Sequence, residues 1–281
     1  MELFRALAVL CERPSVETAR LAEALELGRA PTPSEHTELF DFELYPYASV
    51  YLGAEGMMGG EARDRVAGFW RALNRTPPAD VDHLSVLLAL YARLAEFERQ
   101  ERVPERRASW RSARRAFLWE HLSSWLPVYL EKLQTIAPPF YRRWGAVLLD
   151  ALEEEARDLD GVETLPLQLR DELGLADPRE TTAAEFIQTL LAPARSGMII
   201  VRSDLRRAAR GLSLGARIGE RKFVLNSLFG QDARATLSWL AAEADSAAQR
   251  HANLREPFAL IARVWEDKAR RSAALLRELV S

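Results

Sequence analysis

In the stretch HLSVLLALYARLAEFERQE, residues 83–101, Leu84, Leu87, Leu88, Tyr91 and Leu94 recur at helical intervals. This i, i+3, i+4, i+7 spacing puts all five side chains on one face of a helix; a strand, whose side chains alternate, cannot bury the set. The same period carries Val66, Phe69, Trp70 and Leu73 in a segment from about Glu61 to Leu73, and Leu3, Leu7 and Leu10 at the N-terminus. Leu, Ala, Arg and Glu dominate while Val, Ile and Thr are scarce, which favours helix nearly throughout. "GMIIVR", residues 197–202, is the only strand-like run and is too short and isolated for a sheet. The expected fold class is all-α.

Local signals divide this helical chain. Ser15 is placed to cap a short helix that Gly28 ends, and "APTPSEHTEL" reads as a linker. The acidic "EEEARDLDGVE" and Pro166 mark a boundary between residues 1–165 and a further helical region, 166–281, that packs on the first or forms a small subdomain. Beyond it, Thr182 and Glu185 have capping-box spacing. Gly211 is expected as the glycine that closes a helix over 204–210. Further helices are expected over about 220–229, 232–246 and 257–279.

The composition excludes several functions. With 281 residues, 48% hydrophobic and 28% charged, the chain can bury a proper core. A net charge of −3 gives no global attraction to nucleic acid or an anionic membrane. A single cysteine, Cys11, rules out an internal disulfide and suits a reducing compartment. "MELFRALAVLCERP" lacks a cleavage pattern, and no run approaches the ~18 apolar residues of a membrane span. A cytoplasmic protein without membrane insertion is expected.

Chemical motifs are weak. "GLSLG" at 211–215 matches the G-x-S-x-G elbow of hydrolases, but Ser213 there follows a predicted helix rather than a strand. The basic segment 195–222 (Arg195, Arg202, Arg206, Arg207, Arg210, Arg217, Arg221, Lys222) supports a second reading, a helix-turn-helix-like nucleic-acid-binding regulator. Against it, Arg207 stands where a small residue lets such helices approach, and Gly215 and Gly219 interrupt the second helix. The four histidines, His36, His83, His121 and His251, are far apart, and no metal motif or phosphate-binding loop is present. No catalytic residue, metal or cofactor is therefore assigned, and the chain is read as a non-enzyme.

Two stretches are more specific. In "VDHL", Asp82 directly precedes the helix and is expected to cap it, with His83 at its first position. "FLWEHLSSWLPVYLEKLQTIAPPFYRRW" places seven aromatic residues between Phe117 and Trp144. Its seam Leu118, Leu122, Trp125, Tyr129, Leu133 and Ile136 is helical, and Pro127, which lacks an N–H, is expected to kink that helix.

Together with "YPYASVYLGAEGMMGGEARDRVAGFWRAL", these stretches resemble the TorD/DmsD/NarJ family of molybdoenzyme maturation chaperones. The likeness covers about residues 40–157 and rests on the Tyr-rich segment, the Asp-His pair and the H-L-x-x-W-x-P element. It implies a TorD-like all-helical core within 1–165 that acts without turnover. The implied partners are the apo catalytic subunit of a molybdopterin-containing oxidoreductase and its twin-arginine signal peptide, held until cofactor insertion is complete. Homodimerisation is left open. By position, Asp82, His83, Tyr45, Tyr47, Tyr51, Phe117, His121, Trp125 and Pro127 become the implied client-binding residues. A trench between the helix after Asp82 and the Pro127 helix would take the apolar run. Asp82 with Glu35, Glu38, Asp41 and Glu43 would take the arginines.

Overall fold

A computed structural model describes residues 2–160, 164–171, 174–254 and 256–281. Among the described residues every element is helical, so the all-α expectation holds. In chain order they are α1 (Glu2–Leu10), α2 (Val16–Ala24), α3 (Pro33–His36), α4 (Ala48–Leu52), α5 (Gly60–Ala72), α6 (Leu84–Gln100), α7 (Pro104–Phe117), α8 (Leu126–Ile136), α9 (Pro139–Asp158), α10 (Ala183–Leu190), α11 (Pro193–Ser196), α12 (Arg202–Gly211), α13 (Arg221–Gln231), α14 (Ala233–Ala252) and α15 (Ala259–Glu278). Two π-helical turns, Thr37–Glu43 and Leu118–Ser123, continue α3 and α7.

α6 is the centre of the first half. Leu84, Leu87, Leu88, Tyr91 and Leu94 are each fully covered, as their period requires. α1 packs against α6 and α9: the Phe4 ring meets Tyr91 edge-on at 4.9 Å, and the Trp144 indole donates to the Leu7 carbonyl at 3.1 Å. α7 lies on another flank of α6, where Arg114, nearly buried, joins Glu98 at 2.9 Å and Asp158 at 2.8 Å.

A second apolar cluster is built by α10, α12, α13, α14 and α15, and α15 serves both clusters. Its Ile261 and Trp265 belong to the first, its Ala269, Ala273 and Leu276 to the second. Small residues let backbones approach here. Gly197 has φ +70°, and a Cβ on it would lie 2.4 Å from the Ala269 nitrogen. The segment before α12 is fixed by polar contacts from α14 and α15. His251 contacts the Gly197 carbonyl at 3.0 Å, Lys268 donates to the Ala194 carbonyl at 2.6 Å, and Ser272 donates to the Ser196 carbonyl at 2.8 Å. "GMIIVR" is extended at this point but pairs with no strand among the described residues.

One sequence expectation is corrected here. Gly211 is the last residue of α12, and the left-handed residue is Ser213 at φ +57°. Ser213 follows a helix and is exposed, so the strand-to-helix turn of a nucleophile elbow is absent. A loop over 212–220 separates α12 from α13, and much of the basic segment is engaged within the chain. Arg206 pairs with Glu43 at 2.5 Å, Arg207 with Asp204 and Glu243 at 3.0 Å, and Arg221 donates to the Ile200 carbonyl. The Thr182 hydroxyl accepts from the Glu185 N–H at 3.2 Å, as its spacing indicated.

Lys132 of α8 and Asp204 of α12 form a 2.6 Å ion pair that links the two halves, each side chain 7% exposed. Asp204 also accepts from the Val201 N–H at 2.9 Å. Breaking a buried pair typically costs about 3–5 kcal/mol, and the half-exposed Arg207 that remains 3.0 Å from Asp204 keeps the loss of Lys132 at the lower end. Lys132→Met should therefore lower stability by roughly 3 kcal/mol in urea unfolding.

Candidate functional site

The Tyr-rich segment and the Asp-His turn are stitched together by main-chain bonds. The Ala48 N–H donates to the Asp82 carbonyl at 3.0 Å, and the Leu84 N–H to the Pro46 carbonyl at 2.8 Å. Tyr47 and His83 form an antiparallel bridge, with their rings edge-on at 4.9 Å. The Asp82 carboxylate, 2% exposed, accepts from the Ser49 N–H at 3.1 Å. It therefore caps α4 rather than α6, which corrects the sequence expectation. His83 is the cap of α6, its Nδ1 accepting from the Ser85 N–H at 3.2 Å. Burial lowers the His83 pKa, so the neutral ring that can accept this bond is favoured.

The aromatic stretch also departs from expectation. Pro127 does not kink a continuous helix. The chain leaves helical geometry at Trp125 (φ −139°), and α8 restarts at Leu126, where the missing proline N–H falls in the first turn and is not needed. The Trp125 indole donates back to the His121 carbonyl at 2.9 Å and satisfies an acceptor left at the end of the π turn. Tyr51 stacks on Trp125 at 5.1 Å with an 8° interplanar angle, and Tyr129 meets both rings edge-on. Tyr51 donates to the Tyr45 carbonyl at 2.7 Å. Phe117, His121 and Phe69 make a second aromatic cluster with centroids 4.9–5.4 Å apart.

The structure thus gathers the implied client-binding residues, but mostly inside. Tyr51, Phe117, His121, Trp125 and Pro127 are buried; Tyr45, Tyr47 and His83 are partly exposed. On the side where the trench was expected, Leu84, Leu87, Leu88, Tyr51, Trp125 and Tyr129 are all buried. The acidic residues are likewise engaged. Glu43 accepts from Ser203 and pairs with Arg206, Glu35 pairs with Arg29 at 2.6 Å, and Glu38 lies 3.5 Å from Arg206. Asp41 is 3.8 Å from Arg13. Among the described residues no cluster of His, Cys, Asp or Glu is placed to hold a metal, and no helix is long and apolar enough to cross a membrane.

An open apolar groove lies on the other side of α6. It has a volume of about 810 Å³ and is walled by the end of α5 (Trp70, Leu73), by Pro78, by the outer stripe of α6 (Val86, Ala89, Leu90, Phe97) and by Trp110 of α7. The α6 residues recur at helical spacing, so the stripe runs roughly 16 Å along the helix. Phe97 and Trp110 are 4.8 Å apart, and both are partly exposed. By periodicity alone Trp70 and Leu73 belong to a core face, and the inner seam of α6 is complete without the groove residues. The missed signal was a second stripe, Val86, Ala89, Leu90 and Phe97, on a helix whose core face was already complete.

A smaller cleft of about 260 Å³ sits at the opposite end of α5, beside the glycine loop. Met57 and Met58 are exposed there, with Glu55, Glu61 and Asp171 on the walls. Gly56 (φ +64°) lets the loop touch the turn between α10 and α11, since a Cβ would lie 2.7 Å from the Ala192 Cα.

Residues 11–131 match the family model described as nitrate reductase delta subunit. Over this segment, which is less than half of the chain, the protein is similar to that TorD-like family. Its members are molybdoenzyme maturation chaperones rather than enzymes, and they act with nitrate reductase-type molybdoenzyme subunits. The matched segment contains α2 to most of α8, and with them every wall of the groove. No curated protein and no solved structure gives a significant match to the chain.

The stitched turn and the buried imidazole each carry a measurable consequence. Asp82→Ala leaves the α4 N-terminus uncapped inside the fold and should cost about 2 kcal/mol, read as a lower Tm. Burial, helped by the nearby Arg65 charge, holds the His121 pKa down at about 4 from an ordinary 6.5. The unfolded chain therefore binds the extra proton between those values. Stability should fall as pH drops through that window, by up to roughly 3 kcal/mol at its acid end, and be insensitive to His121 above it. His121→Leu should make this acid limb shallower in unfolding curves recorded from about pH 7 to about pH 4. His36 and His83, whose pKa values burial also lowers, contribute to the same limb.

Proposed function

We propose that this protein is a chaperone for the catalytic subunit of a molybdopterin-containing oxidoreductase, and that it holds an apolar segment of the immature subunit in the groove beside α6. The observation that carries this reading is the groove itself. It is a large apolar groove, and it lies wholly within the segment that matches the family. Its length of about three helical turns suits an amphipathic helix laid into an apolar trough. The aromatic walls supply contact area at low entropic cost, because Trp and Phe have few rotatable bonds.

In this reading the buried motif residues have a positioning role. Asp82 and His83 fix the start of α6, and Tyr51, Trp125 and Tyr129 fix the wall behind it. Tyr45, Tyr47 and His83 are the motif residues still open to a client. Of a twin-arginine signal peptide, the part that fits the groove is its apolar run, since no carboxylate lines the groove. Release accompanies folding of the client, which withdraws the apolar segment. The action is conformational and is assigned to the cytoplasm, where this chaperone family works.

The test uses an uncharged apolar peptide with the sequence pattern of such a subunit's N-terminal segment. Ala89 is exposed on the groove wall, so Ala89→Trp fills the groove without disturbing the core. The variant should keep its Tm and bind the peptide at least about tenfold more weakly by fluorescence anisotropy. Wild-type affinity for this peptide should change little with salt, whereas a nucleic-acid-binding protein loses affinity steeply. Unchanged peptide affinity in Ala89→Trp would remove the groove from the function.

A further inference from the structure

The polar groups of the groove are one-sided. Asn74, Arg75 and Arg93 line it together with the apolar walls, and no Asp or Glu does. The Arg93 guanidinium lies 4.6 Å from the Phe97 ring centre and that of Arg75 lies 5.8 Å from it. Two cations thus flank one aromatic ring of the groove. The carboxylate that meets Arg93 is Glu96, at 2.7 Å, and it is shared with Arg5 at 2.6 Å and with the Gln100 amide at 3.1 Å. Arg75 has no carboxylate within ion-pair distance among the described residues. Positive charge at this end of the groove is therefore under-compensated by the protein itself.

We infer that the groove selects an apolar peptide segment that carries a carboxylate beside its apolar run, placed between Arg75 and Arg93; this rests on the groove being the client site. A carboxylate there would accept charge-assisted hydrogen bonds from two guanidiniums that lie over the same Phe97 ring. Both guanidiniums are held near one ring face, which places them at the same end of the groove. An arginine at the same point of the client would meet like charge and no acceptor side chain except Asn74. The groove therefore discriminates against the cationic end of an export signal while accepting its apolar part. A fatty acid shares the apolar and anionic chemistry. The peptide is favoured because the α6 stripe has the length and period of a helix face, and because the family acts on protein subunits.

The experiment compares three helical peptides with one apolar run and a single Glu, Gln or Arg beside it, titrated against the full chain. Wild type should bind the Glu peptide about tenfold more tightly than the Gln peptide, with the Arg peptide weakest. In Arg75→Gln/Arg93→Gln the distinction between the Glu and Gln peptides should disappear. It should also shrink in wild type at high salt. Equal wild-type affinity for all three peptides, or tightest binding of the Arg peptide, overturns the inference and leaves the groove as the client site. Binding of none of them, or occupation of the groove by laurate alone, overturns both.

Discussion

The buried Asp82 carboxylate joins two stretches of chain that lie 33 residues apart in sequence. A carboxylate withdrawn from water must be hydrogen-bonded or it shifts the balance against folding. Here the bond it finds is the N–H at the start of α4, while its own main chain bonds the segment that carries Tyr45 and Tyr47. α6 therefore begins at a fixed point and in a fixed direction. With its inner face committed to Tyr91, Leu87 and Leu88, its outer stripe has to face α5 and α7. The groove follows from where α6 starts.

An open apolar groove persists only if its walls cannot collapse into it. The cost of an unfilled apolar space depends on how far the surroundings can relax. Here the walls are anchored from behind. Phe69, next to Trp70, is held by Phe117 and His121, and Leu90 sits among the buried residues of α6. The guanidiniums of Arg75 and Arg93 cover the Phe97 face and reduce the apolar area shown to water. The aromatic residues of the 117–144 stretch thus build the back wall, and the walls of the groove itself belong to a different set of aromatics.

Helical periodicity was enough to read the fold class and most helix positions, because a 3.6-residue apolar repeat has only one way to be buried. Irregular backbone was harder to read. The π turn at Leu118–Ser123 adds a residue to the repeat and turns five of its six side chains inward, which no straight-helix wheel anticipates. The sequence neighbourhood of Asp82 pointed to a cap, but a carboxylate beside a helix start can cap any N–H in reach. The one it caps lies in another segment, and local sequence carries no signal for that. Trp70, Phe97 and Trp110 were hidden for a related reason: a partly exposed aromatic on a helix looks the same in sequence whether it closes a core or walls a groove.

The region beyond residue 166 meets the first half through polar contacts as much as apolar ones. Lys132–Asp204, Glu43–Arg206 and His251–Glu131 are ion pairs or charge-capable contacts with at least one deeply buried partner, and the Trp265 indole donates to the Ser124 carbonyl. Buried pairs of this kind add little net stability compared with well-packed apolar residues, but a mismatched register would leave each of them unpaired. They therefore fix how the C-terminal helices dock more than how tightly. Every one of these contacts falls on α8, the π turns or the chain between π turn and α8, and none falls on a residue that lines the groove. Trp119 of the second π turn, packed on Phe258, is part of the same layer. The C-terminal helices thus brace the far side of the wall that stands behind α6, and leave the groove open.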